Sequence, residues 1–216
     1  MKYLLFILFM QSSNLPVINS IIEKSPDFYE NSIENYKKSE MWGDISYPLS
    51  DKVTASATKP ANNKQASNIK NIQDYNLNTA WVFDTNAEQK TAAFEFVFKF
   101  PKYAAYAGPY QFDGTCYVFN GYCKTLNTWT ENSRAKKLLL YYNEQPVCYI
   151  NLKDTWHFQS FDISKFFKNR RDGKHMQAKF EIKNGDRLKF EVVDVYKGTK
   201  FNDVAISEFL CEGGTN

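Results

Sequence analysis

One short segment of the chain carries phenylalanine at every second position, and this pattern limits the fold more than any other feature. The row consists of Phe94, Phe96, Phe98 and Phe100, with Glu95, Val97 and Lys99 between them. Side chains two positions apart point to the same face of a β-strand, so this alternation predicts a strand with one face turned toward an apolar core. Pro101 follows directly and marks the end of the strand, because proline cannot donate to a sheet ladder.

Strand-like segments of this kind continue from Lys52 to Cys211, with turn residues between them and little sign of helix. Evenly spaced short strands favour a β-sandwich or a barrel. We therefore expect an all-β fold, a jelly-roll sandwich of about eight antiparallel strands. Its predicted core contains Phe94, Phe96, Phe98, Leu138, Leu140, Phe190, Val192 and Ile206.

Composition narrows the class of function. Lys and Arg number 27 against 24 Asp and Glu, and the two signs are interspersed, whereas nucleic-acid-binding proteins usually show a clustered basic face. The chain has only two histidines, which excludes a multi-histidine zinc centre. Neither His157 nor His175 lies in a nucleophile motif, and no Gly-x-Ser-x-Gly elbow is present. Nucleophilic catalysis and nucleic-acid binding therefore find little support in the residues, whereas a pair of carboxylates for glycoside hydrolysis stays open at this point, because its spacing is set in three dimensions.

The N-terminus has the pattern of an export signal. Lys2 is followed by the apolar run 3–10, and a charge before such a run is typical of a signal peptide. The run is too short for a transmembrane helix, which needs about 20 residues. Ser13 and Ser20 are the small residues that suit the position before a cleavage site. The alternative interpretation of this segment is a buried N-terminal strand.

These observations divide the chain into four parts. Residues 1–20 are predicted to be a signal peptide outside the fold, residues 21–49 a leader segment, residues 50–212 the β-domain and residues 213–216 a tail. The predicted location is secreted or periplasmic, with no transmembrane segment in the mature chain.

Export permits disulfide bonds, and the chain has four cysteines. Four cysteines allow three connectivities, among which sequence cannot choose. Cys116 and Cys123 enclose a short loop and are the weakly favoured pair, while Cys148 and Cys211 lie in apolar strand-like runs. Those two are expected either to pair or to remain buried thiols.

An ordered series of short segments runs through the domain at residues 71–82, 120–122, 132–136 and 194–208. In the first, Asp74, Thr79 and Trp81 follow the order of an Asp-Gly-Asp-x-x-Thr-x-Trp loop, with Tyr75 in place of the glycine and Asn76 in place of the second aspartate. The series resembles discoidin-like domains of the galactose-binding fold. It is similar in particular to the discoidin-type domain of the translocation module of NAD glycohydrolases, over about residues 50–211.

The resemblance implies a jelly-roll sandwich that binds a glycan or another surface ligand through loops at one end and has no catalysis of its own. The candidate ligand-binding residues are Tyr122, Lys124, Trp129, Asn132 and Arg134. A tryptophan beside polar groups suits sugar, because the C–H faces of a sugar stack on the ring while its hydroxyls form hydrogen bonds. The alternative for Trp129 is a ring folded over the sheet edge. The alternative function is a structural or protein-interaction domain of a surface or toxin-associated assembly.

Glu208 is the second candidate site. It shares a strand face with Val204, Ile206 and Leu210, so it should point inward, where a carboxylate needs a partner. Related folds tie the loop before the Trp to the last strand through calcium, and oxygen donors suit that ion. The resemblance therefore implies a structural calcium bound by Asp74, Asn76, Asn78, Thr79 and Glu208. The alternatives are an ion pair with Arg134 or Lys136, or hydrogen bonds from backbone N–H groups.

Overall fold

The computed structural model describes residues 15–22, 52–59, 67–85, 91–98, 111–168, 175 and 177–214. Within these ranges it has eleven strands, one α-helix and two 3₁₀ turns. The strands are β1 Val17–Asn19, β2 Ile21–Ile22, β3 Val53–Ala55, β4 Trp81–Phe83, β5 Ala92–Val97, β6 Gln111–Asn120, β7 Ser133–Tyr142, β8 Gln145–Asn151, β9 Gln159–Asp162, β10 Arg187–Tyr196 and β11 Val204–Gly214. The helix is α1, Leu126–Glu131, and the 3₁₀ turns are Ile69–Gln73 and Ser164–Phe166.

The strands form two layers of a sandwich. In the first layer β10 pairs with β7 and β5, β8 lies outside β7 and β3 lies outside β5. In the second layer β11 pairs with β6 and β4, and β9 lies beside β6. The layers join where β11 runs parallel to the start of β7. The all-β sandwich is confirmed, although two of its pairings, β1 with β8 and β7 with β11, are parallel.

The phenylalanine row fills the space between the layers. The ring of Phe94 lies 5.4 Å from that of Phe190 in the same layer and 4.7 Å from that of Phe209 in the other. All eight predicted core residues are at most 2% exposed. Full burial of a side chain of this size stabilises a fold by about 1.5–3 kcal/mol relative to exposure, so this face fixes the register of β5.

A segment near the N-terminus belongs to the sandwich, against the expectation that residues 1–20 lie outside the fold. β1 pairs in parallel with the outer edge of β8, and β2 pairs antiparallel with β9. Since β8 belongs to the first layer and β9 to the second, residues 15–22 connect the edges of the two layers. The strand pairing agrees with the alternative of an N-terminal strand for residues 17–22, and the signal-peptide boundary at residue 20 stays a prediction. Residues 1–14 and 23–50 lie outside the described ranges.

Ser20 is the crossing point of this segment and is 1% exposed. Its hydroxyl donates to Oε1 of the buried Gln159 at 2.6 Å, and its backbone N–H donates to the carbonyl of Asn151 at 2.9 Å. The backbone N–H of Lys153 donates to the same hydroxyl at 3.2 Å. Buried polar groups are costly unless they are paired, so this network specifies one position for the segment.

All four cysteines lie in the described ranges, and no disulfide joins them. Cys116 of β6 stands opposite Cys211 of β11 and away from its predicted partner Cys123. Cys123 packs in a small cluster beyond the end of β6, and Cys148 lies in the main core. The preference for a Cys116–Cys123 pair therefore finds no support, because strand pairing brings Cys116 to a residue far along the chain.

No helix in the described part of the chain is long and apolar enough to cross a membrane.

Candidate functional site

Three connecting segments meet at one end of the sandwich. They are residues 74–79 before β4, residues 120–132 between β6 and β7, and residues 152–158 between β8 and β9. Each contributes to a small apolar cluster made of Leu77, Phe119, Cys123 and Phe158, against which Tyr117, Trp129 and Trp156 pack. This cluster gives the end of the sandwich its own core and holds the three segments together.

Short polar residues shape the 74–79 loop through local hydrogen bonds. The Asp74 carboxylate accepts the backbone N–H of Asn76 at 3.0 Å and the hydroxyl of Thr79 at 2.7 Å. The side-chain oxygen of Asn76 accepts the backbone N–H of Asn78 at 3.1 Å. Tyr75 has a φ of +55°, a left-handed conformation that favours glycine. Tyr75 replaces the glycine of the family motif, and its backbone still has the left-handed conformation that suits glycine.

Glu208 joins this loop to β11 and is fully buried, as predicted. Its Oε1 accepts the backbone N–H of Asn76 at 2.7 Å, whereas Oε2 is buried without a hydrogen-bond partner. Burial, and next the nearby negative charge of Asp74, raise the pKa of this carboxyl well above its usual value. Among the alternatives, a backbone N–H group is the partner observed at Oε1.

The predicted ion pairs of Glu208 with Arg134 or Lys136 are wrong. Arg134 instead binds Asp154, and Lys136 binds Asp194 at 2.8 Å. The side chains of both residues extend from β7 away from Glu208, because Lys136 faces solvent and Arg134 points to the 152–158 segment.

The residue types of the 74–79 loop and Glu208 suit a hard cation. Asp74 and Glu208 supply two carboxylates, and Asn76, Asn78 and Thr79 supply neutral oxygens, which are the ligands that calcium takes. The unpartnered Oε2 is a buried acceptor beside this loop. The described residues contain no group of three or more His, Cys, Asp or Glu side chains that could hold a metal ion, so a cation here would take the rest of its ligands from neutral oxygens.

Tyr122 and Asn132 are buried parts of the scaffold. Tyr122 is 7% exposed, and its hydroxyl donates to the carbonyl of Asn78 at 3.1 Å, which ties the 120–132 segment to the 74–79 loop. Asn132 is 3% exposed and donates its amide to the carbonyl of Thr128 at the end of α1. Lys124 is exposed at the start of the turn that leads into α1.

Trp129 lies on α1, which begins with a capping box between Thr125 and Thr128. Its indole N–H donates to the carbonyl of Asn120 at 2.8 Å, and the ring covers Gly121. Gly121 has a φ of +108°, and a Cβ there would lie 2.5 Å from the ring. Trp129 is half-buried, so one part of the ring is held against the sheet end and the rest remains accessible.

Arg134 connects Trp129 to the 152–158 segment. Its guanidinium lies 4.3 Å from the centre of the Trp129 ring and binds both carboxylate oxygens of Asp154, at 2.8 and 3.0 Å. The remaining donor Nη1 binds the carbonyl of Asn132 at 2.9 Å. Because Arg134 is only 6% exposed and its donors are engaged, it positions its neighbours.

The 152–158 segment adds residues that were not among those predicted from the sequence. Trp156 and His157 are half-exposed, and their rings stack with centroids 4.6 Å apart. The side chain of Asp154, held by Arg134, is 40% exposed. The sequence could have indicated this segment only through a tryptophan and a histidine in a short connection between two strands. The segment lies outside the motifs that resemble the family. The end of the sandwich therefore presents accessible aromatic rings beside a fixed carboxylate.

Two solved structures share this fold. The CBM32-1 and CBM32-2 domains of Clostridium perfringens ZmpB in complex with GalNAc match with a TM-score of 0.53 and 12% identity, over 94% of this chain and 41% of that one. A second structure of the same two domains matches with a TM-score of 0.53 and 14% identity, over 95% of this chain and 43% of that one. The chain thus spans less than half the length of these structures, and at such identities the likeness shows the fold alone.

The sequence profile of the family described as NAD glycohydrolase translocation F5/8 type C domain matches residues 46–212, which is most of the chain. The chain belongs to that family, and the resemblance drawn from its motifs is confirmed. A comparison with curated protein sequences finds no match.

Proposed function

We propose that this protein is a secreted, non-catalytic module that binds carbohydrate at the end of the sandwich formed by the three segments. The observation that carries the proposal is the set of half-exposed rings of Trp129, Trp156 and His157 beside the Asp154 carboxylate. Binding sites commonly combine apolar or aromatic surface with a few fixed polar groups, and this end has both.

In this proposal the residues divide into contacts and supports. A sugar ring stacks on Trp156 and on the accessible part of Trp129, while Asp154 accepts hydrogen bonds from sugar hydroxyls and Lys124 donates to a hydroxyl oxygen. Tyr122, Asn132 and Arg134 support the site from below, because each is at most 7% exposed. The GalNAc complex of the structurally similar ZmpB domains suggests the first ligand to try.

The proposal is tested by titrating the protein with GalNAc and galactose in a calorimeter and by screening a glycan array. Trp156→Ala is expected to weaken binding at least tenfold, because it removes the stacking surface. The matched control is Tyr149→Ala, which removes a half-exposed ring from β8 and should leave affinity unchanged. Equal affinity of Trp156→Ala and the unaltered chain would overturn the assignment of the site. An array without any bound glycan would favour the protein-interaction alternative.

We further propose that a structural calcium binds between the 74–79 loop and β11, with Asp74, Asn76, Asn78, Thr79 and Glu208 as its ligands. The support is the buried, unpartnered Oε2 of Glu208 beside oxygen donors of the loop. Calcium would neutralise the two carboxylates and join the loop to the last strand.

The calcium proposal predicts that the melting temperature rises on adding calcium and falls with a chelator. Glu208→Gln should remove this difference, whereas the control Glu144→Gln, at an exposed ion pair with Lys189, should retain it. Identical melting curves of the unaltered chain in calcium and in chelator would contradict the proposal.

A further inference from the structure

Cys116 and Cys211 form a cross-strand pair within the second layer. They are register partners on the antiparallel strands β6 and β11, and their sulfur atoms lie 2.7 Å apart. Cys116 is fully buried and Cys211 is 5% exposed. The two residues are 95 positions apart in the chain, so local sequence gives no hint of this approach.

The position of the pair suits a disulfide bond. Residues directly opposite on antiparallel strands have Cβ atoms about 4.5–5.5 Å apart, near the separation that a disulfide spans, and their Cα atoms fall within its usual range. The sulfur of Cys123 lies instead beside the carbonyls of Asn120 and Gly121, at 4.0 and 3.7 Å. Cys148 stands on β8 opposite Leu140, in the other layer. Strand pairing therefore selects one pair among the four cysteines.

We propose that the exported protein carries a single disulfide between Cys116 and Cys211, and that Cys123 and Cys148 remain thiols. The proposal takes export from the proposed function, and its oxidant is a disulfide reagent, either a protein disulfide or oxidised glutathione. The thiolate of one cysteine attacks the reagent and forms a mixed disulfide, which releases one reagent thiol. The second thiolate then attacks the bonded protein sulfur and releases the other. Two protein thiols are thereby oxidised, and one reagent disulfide is reduced to two thiols that take up the two protons.

The bond forms while the chain folds, because the finished sandwich hides both sulfur atoms from a reagent. It joins β6, which leads into the 120–132 segment, to β11, which carries Glu208. The covalent link therefore holds together the two strands on which both proposed sites depend.

The test refolds the full chain in a buffer of reduced and oxidised glutathione, without any glycan. The product is unfolded, alkylated and weighed, and its peptides are mapped. The expected result is two alkylated cysteines, Cys123 and Cys148, together with one peptide pair linked through Cys116 and Cys211. After reduction all four cysteines should be alkylated.

Two variants sharpen the result. Cys123→Ser should keep the linked peptide pair and lose one alkylated site, whereas Cys211→Ser should lose the pair. If Cys211→Ser fails to fold, the peptide map of the unaltered chain decides alone. Four alkylated cysteines in the folded chain, or a link through Cys123 or Cys148, would overturn the proposal. Since no glycan is present, this outcome is independent of whether the carbohydrate proposal holds.

Discussion

Gly121 is a residue on which the packing at the end of the sandwich depends. Its left-handed backbone disfavours any side chain, and a Cβ would lie 2.5 Å from Trp129 and 2.8 Å from Arg134. Gly121→Ala should therefore combine backbone strain with a steric clash and lower the free energy of unfolding by about 3 kcal/mol.

Gly185 provides the matched control for Gly121. It has a similar φ of +90°, but nothing lies within 4 Å of the position of its Cβ. Gly185→Ala should cost only the strain, about 1–2 kcal/mol. Urea unfolding of both variants measures the difference. Equal losses in the free energy of unfolding would show that the Trp129 ring moves aside at no energetic cost.

Asp186 makes the stability of the protein depend on pH in the acid range. Burial acts to raise the pKa of this carboxyl, but hydrogen bonds from Tyr142, Asn143 and the backbone of Lys183 outweigh it, so the pKa is lowered. A carboxyl whose pKa is lowered in the folded protein stabilises the fold at any pH above its pKa in the unfolded chain, which is about 4. This contribution is lost as the pH falls through the lower pKa of the folded protein.

Asp186→Asn should therefore destabilise the protein at neutral pH by about 1 kcal/mol and flatten its stability curve below pH ~4. Melting temperatures measured from pH 7 to pH 2 check this. A variant whose curve parallels that of the unaltered chain through the acid range would contradict the assignment.

The position of the N-terminal strands predicts where a signal peptide would be cleaved. If residues before Leu15 act as an export signal, cleavage after Ser13 retains the whole of β1, whereas cleavage after Ser20 removes it and deprives the buried Gln159 of a hydrogen bond. We expect the mature chain to begin at Asn14. N-terminal sequencing of the exported protein tests this, and a mature chain that begins at Ile21 would contradict it.

The contribution of the same strands to stability is measured by comparing a chain that begins at Leu15 with one that begins at Glu23. The shorter chain should melt at a lower temperature, because the edges of β8 and β9 lose their partners. Ser20→Ala in the longer chain should cost about 1–2 kcal/mol by leaving buried polar groups less well paired. A shorter chain as stable as the longer one would show that the segment adds nothing.

Across the whole molecule, the sequence predicted what local periodicity encodes. The alternation in β5 identified a buried face, and the apolar face of β11 identified Glu208 as a buried carboxylate that needs a partner. What the sequence did not predict depends on pairing between distant segments. Residues 15–22 contact the edges of β8 and β9, and Cys116 meets Cys211 through strand register. The 152–158 segment likewise comes beside Arg134 only through folding.

The pair of Arg134 and Asp154 joins β7 to the 152–158 segment, which connects β8 to β9. Asp154→Ala would leave a guanidinium that is 6% exposed without its carboxylate, and a buried charge without its partner is costly. Because the side chain of Asp154 is 40% exposed, water can replace part of the interaction, and we expect a loss of roughly 2 kcal/mol in the free energy of unfolding.

The exposed pair of Lys136 with Asp194 is the matched comparison, because its two side chains are 48% and 47% exposed. Asp194→Ala should cost below about 1 kcal/mol, since water solvates both charges. A double-mutant cycle at each pair, measured by urea unfolding, isolates the two coupling energies. Equal coupling energies would contradict the role given to Arg134. A larger one at Arg134, together with weaker GalNAc binding by Asp154→Ala, would support a carboxylate that both holds the 152–158 segment and contacts the sugar.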